Sequence, residues 1–240
     1  MKHPMRHARI RSCKGPARAS APIARPLIGS LAMLAFCAMG LSSCALPGRT
    51  PTPPTATYVL NATAERGSCQ GSYDAPTRLP LKIATPTAAP AFASAQMAYI
   101  ETPYRIDHFA DNEWVDTPAR MLKPLLSAYL VDCGMFGFTY ADGAGIDGRL
   151  RLDSEILELV QVFDPSSSEV RVSIRFTLVD TQRRDAILAQ TISATEATTS
   201  RDPYGGVVAA NAALQRVLAQ LVQAMRVPVA NLTTETAPSS

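Results

Sequence analysis

Between residues 169 and 180, Val170, Val172, Ile174, Phe176 and Leu178 alternate with Arg171, Ser173, Arg175 and Thr177. An apolar period of two fits an extended strand with one buried and one wet face; a helix would scatter the same residues around its axis. Whatever else the chain does, it must cover that apolar face. The preceding segment, 148–163, is also long and strand-like, and Asp164-Pro165-Ser166-Ser167-Ser168 between the two has hairpin-loop composition. After the turn Thr181-Gln182-Arg183-Arg184, residues 185–196 read as the third strand of a meander.

Shorter strands are expected from Tyr58-Val59-Leu60, from 79–84, and from 96–101 and 104–109, the last two split at Thr102-Pro103. Pro80 restricts its segment to a sheet edge or a strand start. Thr117 before Pro118 is a helix start, with proline in the first helical position. Met121, Leu122, Leu125, Tyr129 and Leu130 then share a helical face, although Pro124 must kink this helix or delay its start. A second helix spans about 203–225. Its stripe of Val207, Ala210, Leu214, Val217, Leu218, Leu221 and Met225 suits packing on a sheet. The order predicts an α+β fold: a largely antiparallel sheet with two helices packed on one face.

The N-terminus constrains location. Seven basic residues precede a short apolar run over 26–40, and the run ends in Leu41-Ser42-Ser43-Cys44. The run is shorter than the roughly 20 residues of a membrane span. This layout is that of an export signal closing on a lipoprotein processing site. Cys44 is the expected lipidation residue, with residues 1–43 removed. The formal net charge then falls from +3 to −4, because no acidic residue precedes Glu65. The basic balance therefore belongs to the signal, and nothing in the remainder points to nucleic acid. Residues 44–57 are a lipid anchor and a Pro/Thr-rich tether, able to hold a domain about 35–40 Å from the lipid. Residues 58–229 form the domain, and 230–240 a polar, flexible tail.

Two further cysteines, Cys69 and Cys133, follow Cys44. Outside the cytosol such a pair is most simply a disulfide, and two separate thiols are the alternative. Enzymatic chemistry has little to draw on. His108 is the one histidine after the signal, no Gly-x-Ser-x-Gly elbow occurs, and Asp142-Gly143-Ala144-Gly145 reads as a turn. No metal or cofactor is expected. Asp111, Glu113 and Asp116 surround Trp114, close to Phe109. Either the acids solvate a loop whose tryptophan plugs the core edge, or Phe109 and Trp114 form an aromatic partner-binding surface.

Three blocks carry a resemblance: Tyr58-Val59-Leu60 soon after the lipid cysteine; residues 104–126, with Asp107-His108-Phe109-Ala110-Asp111-Asn112-Glu113-Trp114 leading into a helix; and the Ala-rich Tyr204-Gly205-Gly206-Val207-Val208-Ala209-Ala210-Asn211. Together they resemble the auxiliary lipoproteins of ABC-type transport systems, the partners of Mce (MlaD-like) lipid-transport proteins, of the paraquat-inducible C type. Pro124 and the Cys69/Cys133 pair depart from that pattern. The resemblance implies a non-enzymatic module on the periplasmic face of the outer membrane that docks to the Mce component, and it is compatible with a homo-oligomer. Ala45 after the cysteine, where inner-membrane lipoproteins often have Asp, suits the outer membrane. A lipoprotein aiding outer-membrane or lipopolysaccharide assembly would share the anchor, tether and build.

Overall fold

The strongly alternating segment pairs on both edges and along its whole length. A computed structural model describes residues 54–64, 79–146 and 148–236. Strand β8 (Ser168–Asp180) lies between β7 (Leu150–Phe163) and β9 (Asp185–Ala197), antiparallel to both. Val170, Val172, Ile174, Phe176 and Leu178 are all at most 3% exposed, as the alternation predicts. The other face of β8 is wet and charged, with Arg171–Glu169 and Arg175–Glu155 ion pairs at 2.7 and 2.6 Å.

The second edge of β7 is shared by three short strands in succession. These are β2 (Leu81–Ile83) beside Leu150–Leu152, β3 (Thr87–Ala88) beside Glu155 and Ile156, and β4 (Gln96–Ile100) beside Val160–Val162, all parallel to it. Beyond β4 lie β5 (Asp107–Trp114), antiparallel, and then β1 (Ala56–Tyr58), parallel; β6 (Thr139–Tyr140) runs parallel beside β2. The fold is α+β, with two helices and a curled mixed sheet. The expected largely antiparallel sheet is corrected, since five of its eight pairings are parallel. Hairpins announce themselves through the turn between adjacent segments. Parallel neighbours are far apart in sequence and leave no local signal. Pro80 stands just before β2, consistent with the strand-start reading.

Helix α1 (Pro118–Asp132) starts where Thr117-Pro118 places it, although the Thr117 side chain makes no capping bond. The Thr117 carbonyl accepts from Arg120 and Met121 instead. Pro124 does not delay the helix. It is exposed, so the carbonyl that its ring leaves without a donor can meet water. Helix α2 (Pro203–Thr236) runs past the expected end near 225 and through Pro228, and residues 230–236 of the expected tail are helical. Val229 and Leu232 are buried and extend the apolar stripe, so burial outweighs the missing hydrogen bond. Every predicted member of the α2 stripe is buried. One apolar cluster joins α1, α2, β7 and β8. The chain after β1 lies along α2, where the Asn211 side chain accepts from the Asn61 N–H and Gln215 bonds both the N–H and the carbonyl of Thr63.

Two corners are built from specific side chains. At the β8–β9 turn Asp180 is fully buried. It accepts from Arg149 Nε at 2.9 Å and from the backbone N–H groups of Gln182 and Arg183. Burial alone would push its carboxyl up. The Arg149 hydrogen bond, the Arg183 N–H, the Arg149 charge and the Gln182 N–H together outweigh burial and hold it below its ordinary 3.8. At the start of α2, Asp202 Oδ1 accepts from Gly205 N–H at 2.7 Å, as an N-cap carboxylate does. A side chain on Gly205 would put its Cβ 2.3 Å from the Ser200 carbonyl oxygen. One on Gly206 would meet Gln161 Oε1 at 2.2 Å.

Two outcomes follow. Asp180→Ala strands a largely buried Arg149, so urea denaturation should show a loss of about 3–5 kcal/mol. Because the folded carboxyl lies below its unfolded value, the stabilisation it brings is complete above about pH 4 and drains away as pH falls through the folded value. The gap between wild type and variant should therefore narrow in acid, and a gap independent of pH would contradict this role. Gly205→Ala should cost about 1–3 kcal/mol. It should cost more than Gly206→Ala, because Ser200 opposes it with backbone whereas Gln161 opposes with a side-chain tip; the reverse order in thermal melts would be inconsistent with this packing.

Candidate functional site

Cys44 and Cys69 lie outside the described residues, along with the expected signal and most of the tether, and so does the expected Cys69–Cys133 bridge. Cys133 ends α1, its N–H donating to the Tyr129 carbonyl at 3.0 Å, and it packs against the main core.

The predicted aromatic surface divides. Trp114 is 4% exposed, inside the main core, and its backbone N–H donates to the Ala95 carbonyl. Its ring fills the core, as the core-edge reading expects, and of the Phe109/Trp114 pair only Phe109 remains partly exposed. The acids around it separate as well. Asp116 turns toward α1, accepting from the Thr117 N–H and pairing with Arg120 at 3.1 Å, while Asp111 is exposed.

Phe109 is half-buried and belongs to a different grouping. Its ring lies 4.6 Å from Tyr99 and 6.3 Å from Phe163, and Tyr99 and Phe163 meet edge-on at 5.9 Å. The Arg201 guanidinium sits over Phe163 at 5.6 Å from the ring centre. Its Nη1 donates to the carbonyls of Asp164 and Ser167, which fastens the β7–β8 loop to the approach to α2. These four residues, with Glu101, His108 and Ala110, line a cavity of about 410 Å³. Two other hollows, lined largely by core residues, have about 10 Å³ each, room for a single water.

A β-bulge places this cavity. The β7–β8 register shifts between Ile156 and Glu158, so Leu157 is the extra residue. Before the bulge Leu150, Leu152 and Ile156 face the main core. After it Leu159 does, while Val160 and Val162 join Phe92 and Ala98 in a second cluster on the opposite face. The flip directs Gln161 beneath the start of α2, where its amide donates to Ser168 Oγ and to the Asp202 carbonyl. Tyr99 pairs in register with Gln161, so the aromatic group stands at the same end of the sheet.

Of the cavity residues, sequence reasoning singled out Phe109 and His108. Tyr99, Glu101, Phe163 and Arg201 come from three other segments, and no local pattern links them. No hydrogen bond joins His108 to a hydroxyl or thiol among the described residues, nor does any group of three His, Cys, Asp or Glu side chains there converge on a metal-sized point. No described helix is long and apolar enough to cross a membrane.

Comparison with curated proteins finds no match. Among solved structures, a Xanthomonas campestris protein is 15% identical with a TM-score of 0.64, covering 75% of this chain and all of that one, and so shares the fold. Lower likenesses include the PelC dodecamer of Paraburkholderia phytofirmans (15% identity, TM-score 0.40, 63% of this chain and 93% of that one). Lipoprotein GNA1162 of Neisseria meningitidis is 14% identical with a TM-score of 0.33, covering 64% and 99%. A family model matches residues 58–225, from the last residue of β1 into α2, and so takes in strands β2 to β9, all of α1 and α2 as far as Met225. The chain belongs to the family of ABC-type transport auxiliary lipoprotein components, which implies a non-catalytic role.

Proposed function

We propose that this protein is the outer-membrane lipoprotein of an Mce (MlaD-like) intermembrane lipid-transport system, of the paraquat-inducible C type. In this reading Cys44 carries the lipid, the tether gives reach into the periplasm, and the 58–229 domain docks the Mce component. The observation that carries it is the family match over residues 58–225, placed directly after Leu41-Ser42-Ser43-Cys44 and its Pro/Thr-rich spacer. Acyl chains at Cys44 would contribute roughly 0.8 kcal/mol per buried CH₂, so two or three chains hold the domain at the membrane without a spanning helix. Ala45 favours the outer membrane. The Cys69–Cys133 disulfide belongs to the same reading, because an exported domain matures in an oxidising compartment. Self-association fits it too: β9 pairs only with β8 among the described strands, and its span from Ala186 to Thr195 carries no charge to discourage a second strand.

Intact-mass measurement on membrane-extracted protein should find a chain beginning at an acylated Cys44, with no alkylatable thiol before reduction. A chain retaining residues 1–43 would end the anchor reading, and two free thiols would end the disulfide. Crosslinking in intact cells should recover an Mce-domain protein together with copies of this chain. Recovery of outer-membrane assembly machinery alone would overturn the transport assignment.

A further inference from the structure

The cavity beside Phe109 presents two opposite charges that do not meet. Arg201 is held in place by two backbone carbonyls and the face of Phe163, and none of its contacts is a carboxylate. Its Nε and Nη2 donors stay available on a guanidinium that is already positioned. Glu101 is exposed, lines the same cavity, and has no ion pair among the described residues. The half-buried rings of Tyr99 and Phe109 line the same cavity.

Each simple ligand class meets an obstacle here. A bare anion suits Arg201 but is repelled by Glu101, and a bare cation meets the reverse. A hydrocarbon chain would cover both charges and leave them desolvated without partners. A ligand carrying both signs satisfies both charges. A phosphate takes the guanidinium in its paired N–H geometry, and an ammonium takes the carboxylate and the aromatic faces. At about 410 Å³ the cavity is in the small-ligand range of about 300–1,000 Å³. We propose that this cavity binds a phosphoammonium zwitterion of the phosphoethanolamine type, with phosphate on Arg201 and ammonium between Glu101 and the Tyr99/Phe109 rings.

A phospholipid headgroup and a soluble glycerophosphate ester share this chemistry. The inference extends the transport reading by giving the domain its own contact with such a group. The binding measurement needs no Mce partner, so its failure leaves the docking reading standing, and the converse also holds.

Calorimetric titration of the full-length lipoprotein in a non-ionic, sugar-headed detergent tests it with four probes: glycerophosphoethanolamine, glycerophosphate, short-chain phosphatidylethanolamine and short-chain phosphatidylglycerol. Saturable binding of both ethanolamine probes is expected, with the amine-free probes weaker. Tighter binding of the lipid than of its soluble headgroup identifies a lipid site, and equal binding a soluble ester. Arg201→Gln should weaken all four by about tenfold. Glu101→Gln should weaken the ethanolamine probes by about tenfold and spare glycerophosphate. Arg201 also fastens a loop, so Glu101→Gln, at an exposed position whose side chain makes no hydrogen bond or ion pair among the described residues, keeps the test decisive. The proposal is overturned by no saturable binding, by equal affinity for glycerophosphate and its ethanolamine ester, or by wild-type affinity in Glu101→Gln.

Discussion

The structure depends on strand β7, whose backbone donors and acceptors are used along both edges. One edge carries the thirteen-residue antiparallel ladder to β8. The other carries three short parallel partners in turn, β2, β3 and β4. None of these three could persist alone, because strands of two to five residues bury too little surface to offset the cost of ordering them. They are held because β7 supplies a continuous template, and because Leu81, Ile83 and Met97 add their side chains to the core that the helices cover. Without β7 the short strands have no template and β5 and β1 lose their link to the meander.

The bulge in β7 is the second constraint. With one extra residue at Leu157, the strand serves two apolar clusters on opposite faces. That lets one face of the strand join the helix-covered core while Val160 and Val162 on the other join Phe92 of the 3-10 turn Pro90–Phe92. It also fixes Gln161 below Gly206, where the helix must approach so closely that no side chain fits without displacement. The aromatic cavity sits at that end of the sheet, with Arg201 and Asp202 setting the entry into α2. The elements that position the candidate site are therefore those that dock the longest helix.

Much of the antiparallel half was legible in the sequence. The alternation through Val170–Leu178, the Asp164–Ser168 loop and the Thr181–Arg184 turn all encode neighbours adjacent in the chain, and the α2 stripe names its own buried face. Two prolines lie inside the helices. Pro124 and Pro228 do remove hydrogen bonds, yet one is exposed and the other lies between the buried Met225 and Val229, so packing decided the helix lengths. Trp114 was ambiguous because a tryptophan beside acids fits either an interface or a core edge. Only tertiary packing, which buries this last residue of β5 in the main core, places its ring.

By itself the sequence determined the local terms: which segments are extended or helical, which face of each is apolar, where turns fall, and that Leu41-Ser42-Ser43-Cys44 reads as a lipid attachment signal. These depend on side-chain period and short-range chemistry. Tertiary structure alone decided the parallel pairings of β7, the face-flip at Leu157, the burial of Asp180 against Arg149, and the meeting of Tyr99, Phe109, Phe163 and Arg201 around one cavity. Each of these joins residues distant in the chain, and the free energy that joins them comes from surfaces and ladders that exist only once the sheet has formed.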